Sequence, residues 1–447
     1  MASLRKFFAL AMNIKDRLRE LDRLQHKIAP TQPQPSFPAS QLNAPDLFTD
    51  IFKPRAGDFP HLASAKTNAG ENLQQLAAEG CFLLEHCTAL DATIGEFTLH
   101  ELPNLSPELV AIAGKDERLA TLDLRRTLFI DTETTGLAGG AGTVAFLVGV
   151  GYLSDEAFVV RQYFMRDFHE EAALLHLLAQ QVDAASGLVS FNGRAFDVPL
   201  LNSRYIINRR RAAFDGMPHF DLLHAARRVW RETVASCTLG ELERSILGIQ
   251  RHDDVPGALV PQIYFDYLHS GKLDGLREVF LHNRQDILSM AALVIRLCQM
   301  IKEPLSSTTL RERHRLGTLF RKVRQLERSA QVFENLVERE RSAQNLETFA
   351  ELALCYKRLQ RHDEACRLWM QAIEKLAFHP VPYIELAKHY EHRLKDFDQA
   401  IALTERALRA IQLREELKSD GESEIYRLDL EKRWQRLKRK RAVSSNQ

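Results

Sequence analysis

Between residues 129 and 136 the chain reads Phe129-Ile130-Asp131-Thr132-Glu133-Thr134-Thr135-Gly136, an apolar run that ends in two carboxylates and then breaks at glycine. On an extended strand the i, i+2 spacing sets Asp131 and Glu133 on one face. Two like charges about 4 Å apart repel by roughly 4 kcal/mol at an effective dielectric near 20, so the pair calls for a cation or a shared proton. A divalent metal is the simplest answer, because hard cations take carboxylate oxygens. Two other stretches bring chemistry to the same place. Asp197 closes Phe191-Asn192-Gly193-Arg194-Ala195-Phe196-Asp197, where a turn at Asn192-Gly193 after an apolar run presents the acid near a helix start at the sheet edge. His282 and Asp286 stand i, i+4 in a helical pattern that continues through Ile287, Met290, Ala291 and Val294, and so share one helix face. Four acids and a histidine at one point would suit phosphodiester cleavage with two metal ions. The ions steady the attacking and leaving oxygens, and the histidine takes the proton of the attacking water.

The elements that must position these groups are legible from the punctuation. Apolar runs at Leu128 to Asp131, Thr143 to Leu153 and Ala157 to Met165 are too closely spaced for an intervening helix, which predicts three consecutive antiparallel strands. A helical stretch (Glu170 to Val182), a buried strand (Leu188 to Phe191), a helix (Val198 to Asn208) and a short strand entering Phe220-Asp221 follow, and the chain is then mostly helical to Met300. This order predicts an α/β mixed sheet with helices packed on it. Beyond about residue 306 the pattern is all-helical with a period near 35. Aligning the runs from Leu316, Leu352 and Leu386 puts Phe320, Tyr356 and Tyr390 in register, followed by small residues at Ser329, Ala365 and Ala400. The expected organisation is an amphipathic helix and proline-rich linker (1–45), a lead-in segment (46–120), the α/β domain (121–302), helical repeats (306–415) and a charged, basic tail (416–447).

Composition bounds the rest. The 447 residues are 45% apolar with a net charge of +1, enough for a large core but without a global attraction to nucleic acid. Six cysteines without CxxC pairing read as reduced thiols, neither zinc ligands nor disulfides. No apolar run approaches the ~18 residues of a membrane span, so a cytoplasmic protein with no membrane partner is expected.

The ordered motifs DTETTG, NGRAFD and HNRQD resemble those of the DEDD exonuclease superfamily of the ribonuclease H-like fold. FIDTETTGL, VSFNGRAFDVPLL, FDLLHAARRVWR, CTLGELERSILGI and HNRQDILSMAAL are similar, more closely, to the YprB-type ribonuclease H-like domain, over roughly residues 120 to 300. The resemblance implies Asp131, Glu133, Asp197 and Asp286 as ligands of two Mg²⁺ or Mn²⁺ ions, and His282 as the general base. It also implies 3′ to 5′ hydrolysis of single-stranded DNA or RNA ends. Members with a histidine base usually carry it five residues before the last aspartate, and those with tyrosine four before; here a histidine stands four before. A helix turns about 100° per residue, so the two spacings aim the base differently. His282 is then either the base or a group that supports the metal site. The aromatic-then-small register beyond residue 306 resembles tetratricopeptide repeats, which implies a protein partner.

Other residues carry two readings each. Thr134 and Asn192 are candidate substrate contacts, Asn192 also being the residue that turns the chain toward Asp197. Asp221 either points to the same edge or caps the helix from Leu222. His252, Asp253 and Asp254 mark a substrate-facing loop or an ordinary turn. The small residues of GLAGGAG (136–142) would admit a sugar-phosphate backbone, and no P-loop is formed because no Lys-Ser/Thr follows. Arg204, Arg209, Arg210, Arg211, Arg227, Arg228 and Arg231 either contact phosphates or solvate helix faces. Seven Lys or Arg between Lys432 and Arg441 add non-specific affinity or form a solvated tail. The alternative to an enzyme is a non-catalytic nucleic-acid-binding scaffold, for which four gathered acids have no evident use.

Overall fold

A computed structural model describes residues 73–447 apart from 79, 137–141, 252–253, 274, 307, 340–344, 418–420 and 445–447. The amphipathic helix, the proline-rich linker, most of the GLAGGAG loop, His252 and Asp253 lie outside the described residues. Nine strands occur among those described: β1 (Leu73–Ala78), β2 (Cys81–Ala89), β3 (Thr93–Ile94), β4 (Phe97–Thr98), β5 (Thr127–Thr134), β6 (Ala145–Leu153), β7 (Ala157–Phe164), β8 (Gly187–Ser190) and β9 (His219–Asp221). All but β3 and β4 form one sheet in the order β1-β2-β7-β6-β5-β8-β9. The three expected antiparallel strands are β5, β6 and β7, with Asp131 opposite Gly149 and Val150 opposite Arg161. Strands β8 and β9 then add in parallel beside β5. The lead-in segment does more than precede this sheet, since β2 pairs with β7 along Phe82 to Ala89.

Helices cover both faces: α1 (Pro107–Gly114), α2 (Glu171–Asp183), α3 (Asp197–Ile207), α4 (Leu222–Trp230), α5 (Leu239–Leu242, continued by a π turn over Glu243–Leu247), α6 (Val260–Ser270) and α7 (Leu276–Lys302). Strand alternation sorts the side chains. Leu128 and Ile130 join the cluster formed with Leu174, Leu178, Leu201 and Tyr264 of α2, α3 and α6. Phe129 turns the other way, into the cluster with Ala225, Trp230, Ile287 and Ala291 of α4 and α7. With a side-chain period of two, Asp131 and Glu133 follow Phe129 toward α7, and Thr132 follows Ile130 toward α3. This parity decides which neighbours each site residue meets.

The chain continues in helix pairs: α8 (Leu310–Lys322), α9 (Leu326–Arg339), α10 (Leu346–Arg358), α11 (His362–Lys375), α12 (Pro380–His389), α13 (Phe397–Leu417) and α14 (Gly421–Ser444). The small residues predicted for the helix crossings, Ser329, Ala365 and Ala400, are buried. The first pair does not hang from a linker. Trp230 Nε1 donates to Glu312 Oε1 at 2.9 Å, Arg315 Nε donates to the Arg228 carbonyl at 2.8 Å, and Leu316, Phe320 and Phe333 lie in the same apolar cluster as α4 and α7. The basic stretch expected as a tail is the packed helix α14. Its Leu430 and Leu437 are buried, and Arg433, Arg436 and Lys440 surround the buried carboxylate of Glu391 at 2.8–3.0 Å. Burial alone would raise the Glu391 carboxyl, but the bonds from Arg436 and Lys440 hold it down to about 2. Among the described residues no helix is long and apolar enough to cross a membrane, and all six cysteines are free thiols.

Candidate metal centre

The site forms where β5 ends. Glycines at 149 and 151 on β6 leave the sheet surface bare, and α7 lies directly on it. A Cβ at position 149 would overlap the Asn283 amide and sit 2.5 Å from Ile287 Cδ1. That close approach lets Asn283, fully buried, donate from Nδ2 to Asp131 Oδ2 at 2.8 Å. Its own oxygen accepts from Gln162 Nε2 at 2.9 Å, which fixes the amide orientation. We expect Gly149→Ala to cost roughly 1–3 kcal/mol through overpacking and to push Asn283 off Asp131. Thermal melting and a Mn²⁺ titration measure the two effects, and a variant as stable as wild type would show that α7 can yield.

On the opposite side of β5, Thr132 Oγ1 donates to Asp197 Oδ1 at 2.5 Å. Asp197 opens α3, and the preceding turn is set by Asn192 in a left-handed conformation (φ 68°). Asp221 holds that turn, accepting from the backbone N–H of Asn192 at 2.9 Å and of Arg194 at 3.2 Å. It also caps α4 through the N–H of Leu223. Asp221 therefore serves the fold, and the turn role of Asn192 is visible in its backbone. Thr134 spends its hydroxyl on the Gly136 carbonyl at 2.9 Å.

Asp131 and Glu133 sense their acidic neighbours. Burial pushes the Asp131 carboxyl well above the usual range, and Asp286, Glu133 and Asp197 push it further. Burial raises Glu133 to about 8, with Asp286 and Asp197 adding to the shift and His282 opposing it. Asp197 rises to about 6 through burial, although the bond from Thr132 pulls it back. His282 moves in the complementary direction. Burial would lower its imidazole, but Asp286, the bond to Asp254 and Glu133 together raise it to about 10. In this state it is an imidazolium at neutral pH, with Nδ1 donating to Asp254 Oδ1 at 2.6 Å and Nε2 lying 3.8 Å from Asp286 Oδ2.

Sequence reasoning missed a further participant. Arg251, in the loop before α6, is held by Glu243 of the π turn through Nε and Nη2, both at 2.6 Å. Nη2 also pairs with Asp286, and Nη1 reaches Asp254 at 3.4 Å and lies 3.1 Å from His282 Nδ1. Nothing in the local sequence marks a loop arginine as reaching a carboxylate 35 positions away. Asn283, inside HNRQD, carried a signal that went unused.

Among the described residues, no group of three or more Asp, Glu, His or Cys side chains encloses a single point at ligand distance. The reason is visible in the partners: Asp286 leans to Arg251, and Asp197 to Thr132. The donor chemistry nonetheless suits a hard divalent cation, since carboxylates raised by burial and by neighbouring negative charge are relieved by one. Of the basic groups that could contact phosphate, Arg204 is tied to Glu171 and Arg228 to the Ala113 carbonyl, whereas Arg227 and Arg231 are exposed.

Residues 128–298 match the RNase_H superfamily. The uncharacterized protein YprB of Bacillus subtilis (strain 168) is 34% identical over 294 residues, covering 63% of this chain and 68% of that one. The chain belongs to the YprB family. The match to the superfamily runs from the start of β5 to near the end of α7, so it encloses every carboxylate of the site. An RNase H-like domain is one that processes nucleic acid, usually by hydrolysis, and typically with divalent metal ions.

Proposed function

We propose that the chain is a metal-dependent 3′ to 5′ exonuclease acting on single-stranded DNA or RNA ends. The observation that carries this reading is the gathering of Asp131, Glu133, Asp197 and Asp286 from three separate elements into one partly buried site, at a cost in mutual repulsion. Two Mg²⁺ or Mn²⁺ ions held by these four acids would stabilise charge on the attacking and leaving oxygens of the phosphodiester. Asn283 and Thr132 fix the orientation of Asp131 and Asp197. Asp254 orients His282 by accepting a hydrogen bond from its Nδ1–H, so that Nε2 is the nitrogen left to accept a proton from water. For that role His282 must be neutral, and the raised imidazole requires that the surrounding negative charge first be compensated. Asn192 and Thr134 line the approach to the acids, and the helix pairs after residue 306 act as tetratricopeptide-like repeats that bind a protein partner.

The test is incubation of the full chain with 5′- and 3′-labelled single- and double-stranded DNA and RNA, with Mn²⁺, Mg²⁺ or a chelator. We expect a descending ladder from 5′-labelled single strands and early release of the 3′ label, both lost with the chelator. Metal-independent cleavage, or intact substrate under every condition, would sink the reading.

A further inference from the structure

Arg251 brings a cation of the chain's own to the proposed metal site. The guanidinium of Arg251 is half-way between a structural and a functional group: two of its nitrogens grip Glu243, which is 1% exposed, and the same fork extends to Asp286, to Asp254 and alongside His282. Ser289 of α7 also donates to Glu243, so the carboxylate that anchors the arginine is itself pinned to the helix that carries Asp286. A charge fixed this firmly has little freedom to leave, and it gives Asp286 a partner that belongs to the chain.

We propose that Arg251 is a positioning residue for the site, a tethered cation that occupies Asp286 and with which the metal must compete. This inference rests on the proposed metal role of Asp286. The competition has two consequences. Metal affinity is lower than four converging carboxylates would give, because binding must draw Asp286 off a charge-assisted bond and add positive charge beside the guanidinium. In exchange, Asp286 and His282 are held in place on α7 before any ion arrives, and the repulsion among the acids is partly compensated. A merely structural arginine would have the opposite signature, since its loss would loosen the site and weaken metal binding.

Calorimetric titration of Mn²⁺ into the full chain, without nucleic acid, separates the two. Removing Arg251 alone would leave Glu243 buried and unpaired, so the main variant is Glu243→Gln with Arg251→Met. We expect it to bind Mn²⁺ about tenfold more tightly, the equivalent of roughly 1.4 kcal/mol of competition removed. If that variant fails to fold, Arg251→Lys carries the test, because a single ammonium on Glu243 cannot also fork to Asp286; the expected shift has the same sign and is smaller. Unchanged or weaker binding in a folded variant, with wild type binding Mn²⁺, overturns this inference and leaves the proposed activity standing. Absence of Mn²⁺ binding in both proteins overturns the two together.

Discussion

Asp131→Asn should leave the metal-free protein as stable as wild type, or more so, while removing its response to Mn²⁺ and lowering hydrolysis by roughly 100- to 1,000-fold or more. The amide keeps an oxygen for Asn283 and removes a charge that Asp286, Glu133 and Asp197 repel. Asp286→Asn should lose metal binding as well but destabilise the chain, because it takes a full carboxylate from the mostly buried Arg251. The pair of variants therefore separates repulsion from ion pairing with one measurement, thermal melting with and without Mn²⁺. The same charges set the pH dependence. Glu133 and Asp197, raised to about 8 and about 6 in the folded chain, still hold protons at pH values where free carboxylates have lost them. A raised carboxyl costs the folded state increasing stability as pH climbs above the unfolded value toward the folded one. Metal must displace those protons, so Mn²⁺ affinity and the melting shift it produces should grow from about pH 6 to pH 8. A shift that is flat over that range would remove Glu133 and Asp197 from the metal site, and an Asp131→Asn protein that still responds to Mn²⁺ would remove Asp131.

Asp131 and Glu133 were legible because strand parity needs only two residues and a preceding apolar run. Asp197 and Asp286 were legible as ordered motifs, each carried by a turn or a helix whose start and period the sequence shows. What escaped was whatever depends on contacts remote in sequence. β2 reads Cys81-Phe82-Leu83-Leu84-Glu85-His86, buried on both faces with its polar groups included, and its pairing with β7 bridges some eighty residues that no local pattern encodes. Arg251 fails for the same reason. The basic C-terminal stretch was legible in hindsight: Leu430, Arg433 and Leu437 recur at i, i+3 and i+7, the mark of a docked face, but seven cations in ten positions masked it. Gly149 and Gly151, two glycines inside a strand, are where α7 approaches the sheet closely, a pattern the sequence contains but that names no partner.

The same remoteness governs what happens when the helix pairs are removed. Read as separate modules, residues 121–302 and 306–415 should survive division, and cleavage should persist without the second. The packing points the other way. Leu316, Leu319 and Phe320 of α8 and Phe333 of α9 belong to one continuous apolar cluster with Trp230 of α4 and Leu293 and Leu297 of α7. Burying a large apolar side chain is worth roughly 1.5–3 kcal/mol, so uncovering several partners at once rivals the ~5–15 kcal/mol by which a domain is stable. Trp230 would also lose the acceptor for its indole N–H. A chain ending at residue 305 should therefore aggregate or melt without a cooperative transition, and its hydrolysis should fail with its fold. A chain ending at residue 420 should fare differently, because Leu430 and Leu437 belong to two small clusters outside that core. It should keep a cooperative melt and metal-dependent cleavage, with loss confined to α12 and α13. Circular dichroism melts and the labelled-strand assay on both truncations decide the matter. A folded, fully active chain ending at residue 305 would show that α8 and α9 cover the RNase H-like domain without supporting it.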